Sequence, residues 1–275
     1  MAPSRRVLVP VVLGALAAVL STGSAQAGTR APHVRLQHAA KPTASSQLVD
    51  HGGKVLPAST TYAIWWGGAG FPTDEQTAIP TLLQGFGGSS YLATAKQYMR
   101  GATPTSTYAR AYVDLSAPPS HGPSVNAIVG EVSSVLTTNN VKPDPNAIYF
   151  VYTSNFPKVN YCAWHSAGHI GAVTVQVAYV PNTTGVTGCA PSGGYKTSTN
   201  GFTTGTQSIA DSTAHEFMEA VTDAVPTSGW ADKSGAEIAD KCETFYSGLV
   251  KLNKTQWQLQ GEWSNATGGC VETTP

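Results

Sequence analysis

The sequence predicts an α/β fold: a single domain with a mixed sheet flanked by helices, a zincin-like site helix and a disulfide-bonded C-terminal region. Three observations predict it. Short runs rich in aromatic and β-branched residues alternate with helix-like segments between residues 61 and 180, the pattern of strands and helices layered on one core. The stretch STAHEFMEAVTD carries His215-Glu216-Phe-Met-Glu219, close to the metal-binding helix of zincins. All four cysteines, Cys162, Cys189, Cys242 and Cys270, lie in the C-terminal half.

The elements follow in order. Residues 1–27 read as a signal peptide: Arg5 and Arg6 precede the apolar run Val7 to Leu20, and Ala25-Gln-Ala27 fits an A-x-A cleavage site. Ser4-Arg5-Arg6 resembles the start of a twin-arginine signal. The usual Phe and Lys further on are missing, so the general secretory route is favoured. Residues 28–47 lack periodicity and read as a flexible lead-in with His33 and His38 in solvent, and the α/β domain occupies 48–275. Thr61-Tyr-Ala-Ile-Trp-Trp66 reads as a buried strand that stops at Gly67-Gly68, with His51 serving a turn before it. Asp74 is placed to cap the next helix, which Pro80 should bend or divide.

A second helix is expected over Ser90 to Met99 and a strand over Tyr108 to Leu115. In the amphipathic helix Val125 to Thr138, Ile128, Val129, Val132 and Val135 share a face. Ala147 to Tyr152 reads as a buried strand, CAWHSAGH as a cysteine-bearing loop, and Gly171 to Val180 as an alternating strand. The site helix should start near Ser208, capped by Asp211 or Ser212, and end before Pro226; a short helix should follow at Glu237 to Glu243.

Composition narrows the function classes. Only 12% of residues are charged and the formal net charge is zero, so the clustered Lys and Arg that nucleic acid or an acidic membrane needs are missing. No second apolar segment is long enough to cross a bilayer and no lipidation signal ends the chain, so a secreted, extracellular product without a membrane anchor is expected. In an oxidising compartment four cysteines read as two disulfides, and the sequential pairing, Cys162 with Cys189 and Cys242 with Cys270, is expected over the two other connectivities.

At about 100° per residue, His215 and Glu219 stand about 40° apart on the helix and can face one cation. Glu237, 18 residues beyond Glu219, is the expected third ligand, because metalloproteases with a glutamate third ligand carry it at a similar separation on the next helix. Asp240 and Asp223 are expected behind the ligands as hydrogen-bonding carboxylates, with Asp240 orienting His215. His165 is an alternative ligand to Glu237. Glu216 would be the general base that takes a proton from a water on the ion. With two carboxylates and one imidazole, zinc fits, and manganese or calcium gain ground relative to the usual two-imidazole site. An exposed helix would carry Glu216 and Glu219 with no chemistry at all.

Several stretches resemble the phosphate-induced protein 1 or Exordium-like family: Val49-Asp-His-Gly-Gly-Lys-Val-Leu56, Tyr62-Ala-Ile-Trp-Trp-Gly67, Tyr161-Cys-Ala-Trp-His-Ser166, HEFMEAVTD and Gly235-Ala-Glu-Ile-Ala-Asp-Lys-Cys242. The resemblance runs from about residue 48 to 270 and implies a secreted protein; plant members are associated with the cell wall and growth responses, while bacterial members keep the H-E-x-x-E segment. The expectation is thus a secreted, metal-dependent, zincin-like hydrolase acting on a peptide or cell-wall substrate. The alternative is a non-catalytic wall-associated or signalling module with a vestigial or structural metal site.

Overall fold

The computed structural model describes residues 33–36, 47–191, 194–195 and 201–274, so the expected signal peptide and His38 lie outside the described residues. Strands β1 (His33–Leu36), β3 (Ala58–Trp66), β4 (Thr105–Asp114), β5 (Ala147–Thr153), β6 (Tyr161–Ile170) and β7 (Val173–Pro181) form one mixed sheet in the order β1-β6-β7-β5-β3-β4. The four strands β7, β5, β3 and β4 run parallel, while β6 and β1 add antiparallel at one edge. Central β5 is buried along its whole length, as a strand covered on both faces must be.

The two-residue period of β5 divides the core. Tyr149 and Val151 point to one face, where they meet Ile128, Val132 and Val135 of helix α3 (Val125–Thr138). Ile148, Phe150 and Tyr152 point to the other, where α1 (Glu75–Phe86) and α4 (Thr204–Thr222) pack. Phe86 stacks on Phe217 at 4.1 Å between ring centres, which joins α1 to α4. A short helix, α2 (Ser90–Ala93), precedes a 3₁₀ turn over Thr94–Tyr98.

Small two-stranded ribbons complete the chain. Strand β2 (Val49–Asp50) pairs with β8 (Trp230–Ala231), β9 (Val250–Leu252) with β10 (Thr255–Trp257), and β11 (Glu262–Ser264) with β12 (Gly269–Val271). Both expected disulfides are present. Cys162–Cys189 ties β6 to the loop before α4, and Cys242–Cys270 ties the 3₁₀ turn Asp240–Cys242 to β12. Such bridges belong to an extracellular or otherwise oxidising environment. Among the described residues no helix is long and apolar enough to cross a membrane.

Several local expectations are corrected. CAWHSAGH is not a loop: it is the body of β6, with Trp164 on the α3 face and Ala163 on the α4 face. Part of the lead-in, His33–Leu36, pairs with β6 as a sixth strand. Pro80 does not divide α1, which continues through it. Asp74 makes no side-chain cap on α1; its carboxylate instead accepts from Thr203 N (2.7 Å), Thr203 Oγ1 (3.2 Å) and Thr206 Oγ1 (2.9 Å) at the start of α4. α4 therefore starts at Thr204 behind the cap Thr203, one turn before Ser208, and Asp211 and Ser212 are interior. The helices expected at Ser90–Met99 and Glu237–Glu243 are reduced to short α and 3₁₀ pieces.

Candidate metal centre

α4 is buried on every side from Gly205 to Thr222, although its sequence has no continuous apolar stripe. The sheet covers one side, α1 another, and the segments after residue 236 the third. Where the helix ends, Asp223 turns the chain by accepting from Gly229 N (2.7 Å), Ser228 N (3.2 Å) and Ser228 Oγ (3.3 Å). A β-carbon on Gly229 would lie 2.5 Å from Thr222 O, so only glycine allows this close return. Beyond the return, β8 pairs with β2 and the segment 240–243 comes to lie beside His215 and Glu219 in the middle of α4.

His215 projects from the middle of the helix with both ring nitrogens engaged. Gln260 Nε2 donates to Ala239 O at 2.8 Å, so Gln260 Oε1 faces His215 Nδ1 at 3.1 Å as an acceptor. That fixes the Nδ1–H tautomer and leaves the Nε2 lone pair facing Glu219 Oε1 (3.2 Å) and Asp240 Oδ1 (3.6 Å). Gln260 is itself held, its N–H donating at 2.8 Å to Asp211, which also accepts from Tyr195 (2.8 Å) and Tyr246 (2.7 Å).

His165 of β6 repeats the pattern from the sheet side. Its Nε2 meets the carbonyl oxygen of Asp223 at 3.2 Å, and since a carbonyl only accepts, Nε2 carries the proton. Nδ1 then faces Glu216 Oε2 (3.3 Å) and Glu219 Oε2 (3.4 Å), while Glu237 Oε2 lies 3.6 Å from Nε2. Glu237 is positioned by its own backbone, whose N–H donates to Asp240 Oδ2 at 2.9 Å.

The centre is rich in buried acids. Asp211, Glu216, Glu219, Asp223, Glu237 and Glu262 are all fully buried, and among the described residues the buried histidines beside them are His165 and His215; the nearby Lys241 is paired with Asp232 at 3.0 Å. Burial pushes the carboxyls of Glu237 and Glu262 well above the usual range and raises Glu216 too, against the pull of His165 and His215. Burial opposes charge on His165, but Glu237, Glu216 and Glu219 outweigh it and hold the imidazolium form well above its usual range. Protons or a cation would each relieve this.

The spacings fit a cation. Charge-assisted N–H···O bonds are about 2.7–2.9 Å long, whereas two atoms that share a tetrahedral ion at about 2.1 Å each stand about 3.4 Å apart. The imidazole–carboxylate distances here run from 3.2 to 3.6 Å. Two sets of potential ligand atoms lie within 4.8 Å of one another, His165/Glu216/Glu219 and His215/Asp240/Glu243. Glu216 Oε1 is buried without a hydrogen-bond partner. The buried His and Glu groups could hold a metal ion.

No family model, curated protein or solved structure matches this chain. The site therefore rests on its own geometry. Of the sequence-nominated residues, His215, Glu216, Glu219, Asp240 and His165 fall in these two sets, whereas Glu237, the expected third ligand beside His215, lies in neither and faces His165 Nε2 instead. Asp240 faces Nε2 of His215 rather than Nδ1, and Asp223 contributes its carbonyl to His165 while its carboxylate holds the turn. Sequence reasoning missed Gln260, Asp211, Glu243 and Glu262. Glu243 left a signal, an acid every third residue at Glu237, Asp240 and Glu243, spacing that a 3₁₀ turn stacks on one side. Gln260 left none.

Proposed function

We propose that this protein is a secreted, metal-dependent hydrolase of peptide or cell-wall substrates whose centre is the His215–Glu219 face of α4. The observation that carries the reading is the pair of oriented imidazoles, each with one nitrogen held by a fixed oxygen and the other turned towards carboxylates at ligand-to-ligand spacing. His215 and Glu219 would hold the ion, with Asp240 and Glu243 the further carboxylates grouped with His215. Two imidazoles among oxygens favour zinc or manganese over calcium, which prefers an all-oxygen shell. When bound, the ion supplies Lewis-acid polarisation. Glu216 is the proton acceptor: His165 holds its Oε2, and Oε1 is free to take a proton from an attacking water and pass it to the leaving group. The apparent signal peptide and the two disulfides support action outside the cytoplasm.

One observation favours a second reading. Glu216, His215 and Glu219 are fully buried, so substrate reaches them only if the covering segments 230–243 and 258–264 open. In a non-catalytic wall-associated module, the kind the Exordium-like resemblance suggests, the ion would serve only to hold those segments on α4. Cleavage of a mixed peptide library, run with a chelator control, separates the two. The hydrolase reading expects chelator-sensitive cleavage by the wild type, and a loss of about 10²- to 10⁴-fold in Glu216→Gln, which retains at least one ion per chain. A wild type that holds its ion and cleaves nothing, or a Glu216→Gln variant as active as wild type, rejects catalysis and leaves the module.

A further inference from the structure

The Glu219 carboxylate is shared. Its Oε1 lies 3.2 Å from His215 Nε2 and its Oε2 lies 3.4 Å from His165 Nδ1, so each oxygen faces a different imidazole. The two imidazoles come from different elements, α4 and β6, and each has its remote nitrogen committed elsewhere, to Gln260 and to the Asp223 carbonyl. The nitrogens nearer the centre face carboxylate oxygens at two separate places, His215 Nε2 beside Glu219 and Asp240 and His165 Nδ1 beside Glu216 and Glu219. One cation between His215 and Glu219 relieves the first facing set and leaves the second as it was.

We propose that the centre binds two divalent cations bridged by Glu219, the second held by His165 Nδ1, Glu216 Oε2 and Glu219 Oε2. The inference rests on the reading of α4 as a cation centre and adds a position to it. Each position has its own terminal ligands, His215, Asp240 and Glu243 for the first and His165 and Glu216 for the second. A carboxylate that gives one oxygen to each ion suits the spacing of about 3.5–4 Å found in two-metal hydrolytic sites. Glu216 Oε1, fully buried and without a hydrogen-bond partner, points to an unfilled role at the second position beyond its contact with His165. Coordination through Oε2 leaves that oxygen as the proton acceptor already assigned to it. Two dications also compensate the buried carboxylates better than one. Zinc, manganese or cobalt suits both positions, since each contains an imidazole.

The test is a cobalt(II) titration of the metal-stripped mature protein, followed by bound-metal analysis and electron paramagnetic resonance. Two equivalents should bind, and the signal per cobalt should fall as the second enters, because the carboxylate bridge couples the two spins. His165→Ala should bind one equivalent with an uncoupled signal, and His215→Ala should also lose one. His165→Asn serves if the alanine variant does not fold, and the wild-type stoichiometry decides the matter without either. A wild type that saturates at one equivalent, or a His165 variant that still binds two, overturns the second position and leaves the single-ion reading standing. No binding by the wild type overturns both.

Discussion

α3 and α4 flank the same sheet and are built on opposite principles. α3 buries Ile128, Val129, Val132, Val135 and Leu136 on one face with a single acid, Glu131, and leaves Asn126, Ala127, Gly130 and Ser134 in solvent, so its packing is mainly the hydrophobic effect acting on an apolar stripe. α4 is buried all round, and Asp211, His215, Glu216 and Glu219 go in with Phe217 and Met218. The first helix would dock wherever an apolar surface met it. The second fits only where every polar group finds its partner, and the partners converge on two imidazoles. The comparison teaches that complete burial of a mixed-polarity helix marks a site, because nothing in packing alone would offset its desolvation.

Chelation should separate the two helices most strongly. If ions hold α4 in place, a ligand at about 1,000 times its dissociation constant contributes about 4 kcal/mol, and for a domain of this size its removal lowers Tm by roughly 10 °C. His215→Ala should abolish that chelator response in calorimetry; a variant with an undiminished response breaks the contrast. Ile128→Ala on α3 should cost about 2–5 kcal/mol through its cavity, measured by denaturant unfolding, and leave the metal content unchanged. Loss of metal in Ile128→Ala would show that the two faces are not independent.

α1, like α3 with its Glu131, is an apolar helix with one buried acid. Burial, and then the neighbouring Asp74 charge, push Glu75 from 4.5 up to about 8. The folded state therefore holds a proton that the unfolded chain has released, so its favourable contribution is complete below about pH 4.5 and is lost as pH rises towards 8. Glu75→Gln should match wild type in Tm near pH 4.5 and exceed it at pH 8 by the equivalent of a few kcal/mol at most. An advantage that stays constant with pH would contradict the assignment. The smallest effect is expected at Gln260: Gln260→Glu keeps an acceptor for His215 Nδ1 but loses the donor to Ala239 O, and should weaken metal affinity by about 10- to 100-fold with little change in fold, as competition against a chromophoric chelator would show.

The sequence made α3 legible to the residue because its apolar positions recur with the helical period and Ser124 caps it. β5 was legible because seven consecutive buried positions leave an unbroken apolar run, and both disulfides followed from the order of the cysteines. β6 was not. In YCAWHSAGHI the two faces carry similar mixtures of small, polar and aromatic residues, so no two-residue alternation survives, and His165 read as a loop residue. The start of α4 was hidden because Asp74, 129 residues upstream, helps anchor Thr203 and thereby moves the helix start one turn earlier. The HEFME face was visible as spacing on one helix. What faces it from β6, the 237–243 segment and Gln260 depends on long-range packing, which spacing does not encode.

The central claim is that α4 is buried around metal rather than around protons. Metal analysis of the protein, purified without added metal, tests it most directly. The account predicts at least one zinc or manganese per chain, released by a chelator together with a fall in Tm. A chain that is folded, metal-free and indifferent to chelator and to added zinc or manganese would contradict it, and would leave the buried carboxyls neutralised by protons alone.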